Sequence, residues 1–385
     1  MKVGIVVPFS WSFWGAVNEH AELKADALRR LGVETRTIIG NDPPGSFTRV
    51  LHPRSGRHDE PPADVIPVGR SVIVPANGSL PNLVLSPVTL PRIKRALERE
   101  RFDVLHVHEP MTPAVCVSAL SVARCPVVAT WHAAGALRWN AAAVHFWGFL
   151  LDRIDYRIAV SEQARRSAAR WHGGTYEVLP NGVLLPPSAD AGGREDRVVF
   201  VGRHDPRKGL PVLLRAWPAL RRRTGARLRL VGADPLAVRL LLARQHVCDE
   251  GIDVLGFLPQ DELTEELARA KVLVAPSIGM ESFGMVLTRA FACALPVVAS
   301  DIPGYRDVMT PDTGVLVPPG DPERLAGAVA GLLEDEPRRA RLGEAARRIA
   351  EERYSWDRIA GRLLEIYRLV AGASLASELL GAPSR

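Results

Sequence analysis

Short apolar runs rich in β-branched residues alternate along this chain with segments of helical length that are apolar on one side only. That alternation is the signature of parallel sheets wrapped by helices. A first series predicts strands at 3–7, 34–39, 104–107, 127–130 and 157–160, with helices near 17–31, 90–100 and 162–171. Residues 42–75 break the rhythm with proline, glycine and charge, and are expected to be long connections of the kind that carry function. A second series begins after the small, polar stretch 188–193, which suits a linker. It predicts strands at 198–201, 227–231, 253–255, 272–275 and 297–299, and helices near 210–222, 236–246, 261–268 and 283–293. Near the end, Ile359, Leu363, Ile366 and Leu369/Val370 repeat at a helical period over 356–370, which gives one buried face.

These elements predict an α/β protein with two doubly wound, Rossmann-like domains facing a cleft: residues 1–190, residues 191–355, and a tail at 371–385. The length of 385 residues agrees, since one core seldom organises more than about 250–300 residues. With 47% hydrophobic and 24% charged residues the chain is an ordinary globular one, not disordered, collagenous or coiled-coil. The net charge of +6 is spread over both halves, so no basic tail points to nucleic acid. Cys116, Cys125, Cys248 and Cys293 are too scattered for a disulfide framework or a paired zinc site, and read as buried thiols in a reducing compartment. The N-terminus lacks a secretory pattern, and the longest apolar stretch, 141–151, is well short of the roughly 20 residues that span a bilayer. A cytoplasmic location is expected.

Candidate chemistry lies in loops that follow strands. Gly202 to Gly209 reads GRHDPRKG between a strand and a helix, which places Arg203 and Lys208 where ligands of doubly wound sheets bind. Each cation offers a diphosphate about 4 kcal/mol of Coulomb attraction at 4 Å and an effective dielectric near 20, before desolvation. Neither G-x-x-x-x-G-K-[ST] nor a G-x-G-x-x-G after the first strand is present, which weakens nucleotide-triphosphatase and nicotinamide readings. In PSIGMESF, 276–283, Glu281 falls at a predicted helix start, as a plain helix-start carboxylate or an acceptor for sugar hydroxyls. His132, in TWHAAGA at 130–136, stands just past a strand, as a structural histidine or one that hydrogen-bonds a sugar hydroxyl or relays a proton. His106, His108 and Glu109 lie in LHVHEP, but no third ligand nearby makes a metal set, and no metal is assigned. Gly15 leaves room for a diphosphate to approach the backbone. Residues 91–101 read PRIKRALERER, a helix whose Arg92, Lys94, Arg95 and Arg99 form either a solvated face or a contact for an anionic membrane.

Taken in order, the Gly15 turn, LHVHEP, TWHAAGA, IAVSEQAR (158–165), PNGV (180–183), GRHDPRKG and ESFGMVL resemble the retaining GT-B glycosyltransferases of family four over nearly the whole chain. GIVVPFS at the start, PANGS at 75–79 and the HEP tripeptide at 108–110 are similar to the phosphatidylinositol mannosyltransferases within that family. The resemblance implies that Arg203 and Lys208 grip the donor diphosphate, that Glu281 meets the donor sugar and that His132 stands beside the reacting sugar. It implies donor contacts at Gly15, Ala16, Ser282, Phe283, Gly284 and Arg289, and acceptor contacts at Phe9, Asn77, Ser79 and His132. The basic helix occupies the place of a membrane-docking element, and the last helix that of a segment returning to the first domain.

The implied reaction moves a hexose, with mannose from GDP-mannose favoured, to a hydroxyl of a lipid or polyol acceptor such as phosphatidylinositol, at the inner membrane face. No cofactor is implied beyond the sugar nucleotide, which is a substrate. No closely spaced carboxylate pair of the hydrolytic kind is identifiable; the family is thought to use front-face displacement, with the departing diphosphate taking the acceptor proton. Four positions depart from the pattern: Arg289 stands where a second glutamate is usual, Ala16 where a second glycine is usual, Ala76 in place of an aromatic residue and Asn82 in place of an arginine. A guanidinium cannot accept hydrogen bonds from ribose hydroxyls as a carboxylate would. A sugar-nucleotide-binding protein without turnover and a sugar-nucleotide epimerase are the alternatives.

Overall fold

The computed structural model describes residues 1–13, 15–45, 48, 60–74, 82–86, 88–133, 146–187, 193–203 and 205–379. The chain divides into two compact units, Met1–Gly182 with Trp356–Arg385, and Val183–Ser355.

The first unit is built on β1 (Lys2–Ser10), β2 (Glu34–Gly40), β3 (Val65–Pro67), β4 (Ser71–Ile73), β5 (Asn82–Val84), β6 (Val104–His108), β7 (Val127–Trp131), β8 (Tyr156–Ala159) and β9 (Glu177–Val178). The sheet runs β3-β2-β1-β6-β7-β8-β9 with parallel neighbours, while β4 and β5 form an antiparallel pair that meets the end of β1 at Phe9 and Leu83. Chain order spreads one way from β1 to β3 and the other way from β6 to β9. The loops after β1 and β6 therefore part from one another, which opens a crevice at their C-terminal ends. Val3, Ile5, Val6 and Val7 are buried because helices cover both faces.

The helices of this unit are α1 (Ala16–Arg30), α2 (Thr89–Glu100), α3 (Val115–Val122) and α4 (Glu162–His172), and the chain returns to it much later as the terminal helix Trp356–Leu379. Trp356, Ile359, Leu363, Ile366, Tyr367 and Val370 of the terminal helix join one apolar cluster with Val3, Ile5, Ala21 and Leu28. That helix runs to Leu379, nine residues past the expected end, with alanine, leucine and glutamate among its residues beyond Val370 as good helix formers. The expected tail is thus helical as far as 379.

Three expectations need correction. The stretch 42–75 is not all connection: it holds β3 and β4, whose three residues each are too few to show a period. The first unit closes at Gly182 and not at residue 190, because Val183 already belongs to the second unit, its N–H donating to the Tyr354 carbonyl at 2.7 Å. Of the four thiols Cys116 and Cys293 are buried, whereas Cys125 is half-buried and Cys248 is exposed beyond the helix that ends at Gln245.

The second unit holds β10 (Arg197–Val201), β11 (Arg227–Val231), β12 (Ile252–Gly256), β13 (Val272–Ala275), β14 (Val297–Ser300) and β15 (Gly314–Val317), all parallel, in the order β12-β11-β10-β13-β14-β15. Its helices are α5 (Leu210–Thr224), α6 (Pro235–Gln245), α7 (Gln260–Arg269), α8 (Met285–Ala292), α9 (Pro303–Arg306), α10 (Pro322–Glu334) and α11 (Glu336–Ile349), which makes Trp356–Leu379 α12. The same reversal occurs here, between β10 and β13.

Replacing Ile366, 1% exposed, by alanine should destabilise the first unit by about 2–5 kcal/mol, as for other large-to-small core changes. Urea unfolding of the full chain measures this. A loss below about 1 kcal/mol is incompatible with a terminal helix that completes the first core.

Candidate functional site

In the first unit, His106 and His108 lie two apart on β6 and so point to the same face, both completely buried. β7 runs alongside in register, His108 opposite Thr130, so that His132 emerges two residues beyond it. His108 Nδ1 lies 2.7 Å from His132 Nε2, with the rings stacked at 5.0 Å. Glu109, in the left-handed region at φ 51°, turns its carboxylate to accept both the His132 N–H at 2.7 Å and the Ala133 N–H at 2.8 Å. From α1, His20 sets its ring edge against His132 at 5.1 Å, and Lys24 places Nζ 2.9 Å from His108 Nε2 and 3.2 Å from His106 Nε2.

Burial, and after it the charge of a protonated Lys24, presses His132 down to about 3 and holds His20, His106 and His108 well below their ordinary range. His132 is consequently a neutral imidazole at neutral pH. Burial pushes the Glu109 carboxyl up, against the pull of its two N–H donors. His20, His108 and His132 bring one nitrogen each within 4.8 Å of the others, a third ligand that the sequence did not reveal. His108, however, faces Lys24 with Nε2 and His132 with Nδ1, which leaves it no nitrogen for a cation.

In the second unit the two loops at the reversal carry the charged groups. Asp205 accepts from the Arg207 N–H and caps the single turn Pro206–Lys208, and its carboxylate also takes the Arg207 guanidinium at 2.6 Å. Gly209 follows at φ 70°, and a Cβ there would stand 1.8 Å from the Pro276 carbonyl oxygen. Only glycine permits that approach. The Arg207 carbonyl accepts the Ile278 N–H at 2.8 Å, which ties the loop after β10 to the loop after β13. Across this junction Lys208 Nζ pairs with Glu281 Oε1 at 2.7 Å, both side chains largely shielded. Arg203 is exposed, and its guanidinium has no ion-pair partner among the described residues.

Residues 17–185 match the family described as Glycosyltransferase Family 4, and residues 186–349 match Glycosyl transferases group 1. The chain is 34% identical to a phosphatidyl-myo-inositol mannosyltransferase of Mycolicibacterium smegmatis, over 100% of this chain and 98% of that one. It is 33% identical to the enzyme of the same name from Propionibacterium freudenreichii, over 98% and 97%. The chain belongs to the family 4 glycosyltransferases. Solved structures agree on the fold: Anabaena HepE in complex with UDP and glucose superimposes with a TM-score of 0.71 at 21% identity, covering 95% of this chain and 99% of that one. Sucrose-phosphate synthase from Thermosynechococcus elongatus gives 0.71 at 21% identity, covering 97% and 99%. The two Rossmann-like units are those of a GT-B glycosyltransferase.

Within this family 4 chain, Glu281 is not the helix-start carboxylate expected from the sequence. Helix α8 begins only at Met285, after Gly284 at φ 78°, and Glu281 is held by Lys208 instead. Ser282 is half-buried; Phe283 is buried with its ring edge-on to Tyr354 at 5.7 Å. Arg289 lies half-buried in the last turn of α8. Gly15 and Ala16 are exposed at the start of α1, where Gly15 has an extended backbone and no atom within 4 Å of an added Cβ. The fold itself therefore does not require glycine at position 15. Phe9 is half-buried at the end of β1, whereas Asn77 and Ser79, like Ala76, lie outside the described residues. Arg92, Lys94, Arg95 and Arg99 are all exposed on α2, with Ile93 and Ala96 turned to the core.

Sequence reasoning missed His20 and Lys24. A signal was present: Ala21, Ala25 and Leu28 form an apolar stripe on α1 in which Lys24 occupies a core position.

A histidine lowered in the folded state contributes stability above its unfolded value near 6.5, and that contribution is lost as pH falls toward the folded value. Here four histidines act in that sense, as do the buried Lys24 beside them and His172, pressed down to about 4 by burial, against Glu109, whose raised carboxyl acts in the other. Unfolding free energy should therefore fall between pH 7.5 and 5.5, each such histidine contributing up to about 1.4 kcal/mol per pH unit below 6.5. Urea titrations at the two pH values measure it; equal stabilities would mean that these imidazoles are hydrated.

Proposed function

We propose that this protein is a retaining mannosyltransferase that moves mannose from GDP-mannose to a hydroxyl of an inositol phospholipid. The observation that carries a sugar-nucleotide site is the Lys208–Glu281 pair at the switch point of the second unit. A carboxylate beside a lysine ammonium suits a ligand in which a polyhydroxyl sugar adjoins a diphosphate. The glutamate accepts sugar O–H groups, while Lys208 and Arg203 face phosphate oxygens. The end-to-end similarity to enzymes named phosphatidyl-myo-inositol mannosyltransferase supports mannose and the inositol lipid as the groups exchanged.

In this reading the bond between the anomeric carbon and the diphosphate breaks as the acceptor oxygen attacks from the same face, and the acceptor proton passes to the departing phosphate oxygen. Negative charge grows on the diphosphate, so Arg203 and Lys208 stabilise the transition state more than the bound donor. Neutral His132 contributes a hydrogen bond to the reacting sugar, and the open backbone at Gly15 admits the diphosphate. No metal or cofactor is required. A second reading, binding without turnover, is favoured by Arg289, which cannot accept from ribose hydroxyls as a glutamate would.

Purified protein given a panel of nucleotide sugars, with and without phosphatidylinositol vesicles, should release GDP and form glycolipid only when donor and lipid are both present, and EDTA should not change the rate. Arg203→Ala and Lys208→Ala should each lower kcat by about 10²–10³-fold with a smaller effect on KM. Binding of GDP-mannose without any release would establish the second reading; a donor isomerised without lipid would establish an epimerase. Arg289→Glu should tighten GDP-mannose binding if the arginine costs a ribose contact.

The exposed basic face of α2 supports docking on an anionic leaflet, at about 1 kcal/mol per well-placed cation. Among the described residues no helix is long and apolar enough to cross a membrane. The protein should co-sediment with phosphatidylinositol vesicles at low ionic strength and be released at about 0.5 M salt, where charges are screened within a few ångströms. Retention that is indifferent to salt would refute docking by this face.

A further inference from the structure

Lys24 is 1% exposed in the core of the first unit, and among the described residues no carboxylate pairs with it. Its Nζ lies instead between two imidazoles, 2.9 Å from His108 Nε2 and 3.2 Å from His106 Nε2. His106 ends the network on one side: its Nδ1 is 2.6 Å from the Tyr367 hydroxyl and its Nε2 is 2.7 Å from Thr130 Oγ1. His108 passes the network on, through Nδ1, to His132 Nε2 at 2.7 Å. His132 Nδ1 has no hydrogen-bond partner among the described residues, and this half-buried ring ends the chain of contacts; His20 Nδ1 beside it is fully buried and also unpartnered.

A neutral imidazole has one N–H and one lone pair, so fixing the role of one nitrogen fixes the other. A lysine has two N–H groups as an amine and three as an ammonium. Burial without a counter-charge lowers Lys24 well below its ordinary value, toward the amine. One neutral arrangement pairs every imidazole nitrogen from His106 to His132 Nε2 together with the Lys24 lone pair, and leaves one Lys24 N–H and the neighbouring His20 Nδ1 without a partner. The Tyr367 hydroxyl donates to His106 Nδ1, and His106 Nε2–H is shared between Thr130 Oγ1 and the lysine lone pair. Lys24 donates to His108 Nε2, and His108 Nδ1–H donates to His132 Nε2. The chain runs head to tail in one direction, so each bond polarises the next. An ammonium at position 24 would still donate to His108 Nε2, with the same result at His132.

We propose that Lys24 is a positioning residue which, acting through His108, fixes His132 in its Nδ1–H tautomer, so that His132 presents a hydrogen-bond donor to a ligand oxygen. The ligand chemistry this selects is an oxygen acceptor, a sugar hydroxyl or a phosphate oxygen, in preference to a donor N–H. The effect on turnover rests on the transferase reading given above; the tautomer itself does not.

Long-range ¹H–¹⁵N correlation spectra of the full-length protein at pH 7, labelled in its histidines, report the tautomer directly. The expected wild-type result is His108 and His132 both protonated on Nδ1. In Lys24→Met, His132 should move to the Nε2–H form that free imidazole prefers, and kcat for mannosyl transfer should fall about tenfold, the effect of one lost hydrogen bond, with donor KM changed less than about twofold. Lys24→Gln, which keeps a side-chain N–H without a lysine charge, should recover the Nδ1–H form and the greater part of the rate. A wild-type spectrum with His132 protonated on Nε2 overturns the proposal whatever the variants do, as does a folded Lys24→Met protein that keeps the Nδ1–H form. If Lys24→Met does not fold, the wild-type spectrum and Lys24→Gln decide. A protein that shows the expected tautomers but transfers no sugar removes the transferase reading and leaves the tautomer assignment standing.

Discussion

Parallel strands all end at the same edge of their sheet, and everything chemical in this molecule depends on that constraint. In each unit the order of strands reverses beside the first strand, at β1 and β6 and at β10 and β13. A reversal sends two neighbouring loops apart and leaves room between them for a ligand. The same edge collects helix N-termini, so the backbone already favours anionic groups there before any side chain acts.

Each unit fills its edge differently. The second places a charged pair, Lys208 with Glu281, on two loops locked together by the approach of Gly209 to Pro276 and by the Ile278–Arg207 hydrogen bond. The pair holds both side chains in place, which in the proposed function would reduce what must be ordered on binding a sugar nucleotide. The first unit places four imidazoles and a lysine where burial disfavours charge. The second unit thus holds a fixed charge pair at its edge and the first a set of neutral hydrogen-bonding groups at its own.

Much of the fold was legible because strand and helix signals are local. β11 and β13 fall at the expected residues, and most other predicted elements fall within a residue or two. Short strands such as β3 and β4 were not, since three residues carry no period, nor was α3, which is apolar on every side and so lacks a stripe. Among the candidate residues, Arg203, Lys208, Glu281 and His132 stood out in the sequence because they fall in loops after predicted strands. His20 and Lys24 did not: the apolar stripe of Ala21, Ala25 and Leu28 places Lys24 toward the core, but nothing along the chain shows that histidines from β6 and the end of β7 meet it there.

The sequence by itself determined the alternation of strands and helices, the two-unit architecture and, through an ordered set of motifs, the glycosyltransferase family; all of these rest on residues close together along the chain or on their order. Tertiary structure alone decided that Lys208 is neutralised by Glu281, 73 positions away, and that Lys24 reaches His108 across 84. It also decided that Tyr367 of the last helix closes a network begun on β6. Hydrogen bonds and ion pairs act over about 3 Å, and only the packing of strand on strand and helix on sheet brings such distant positions within that range.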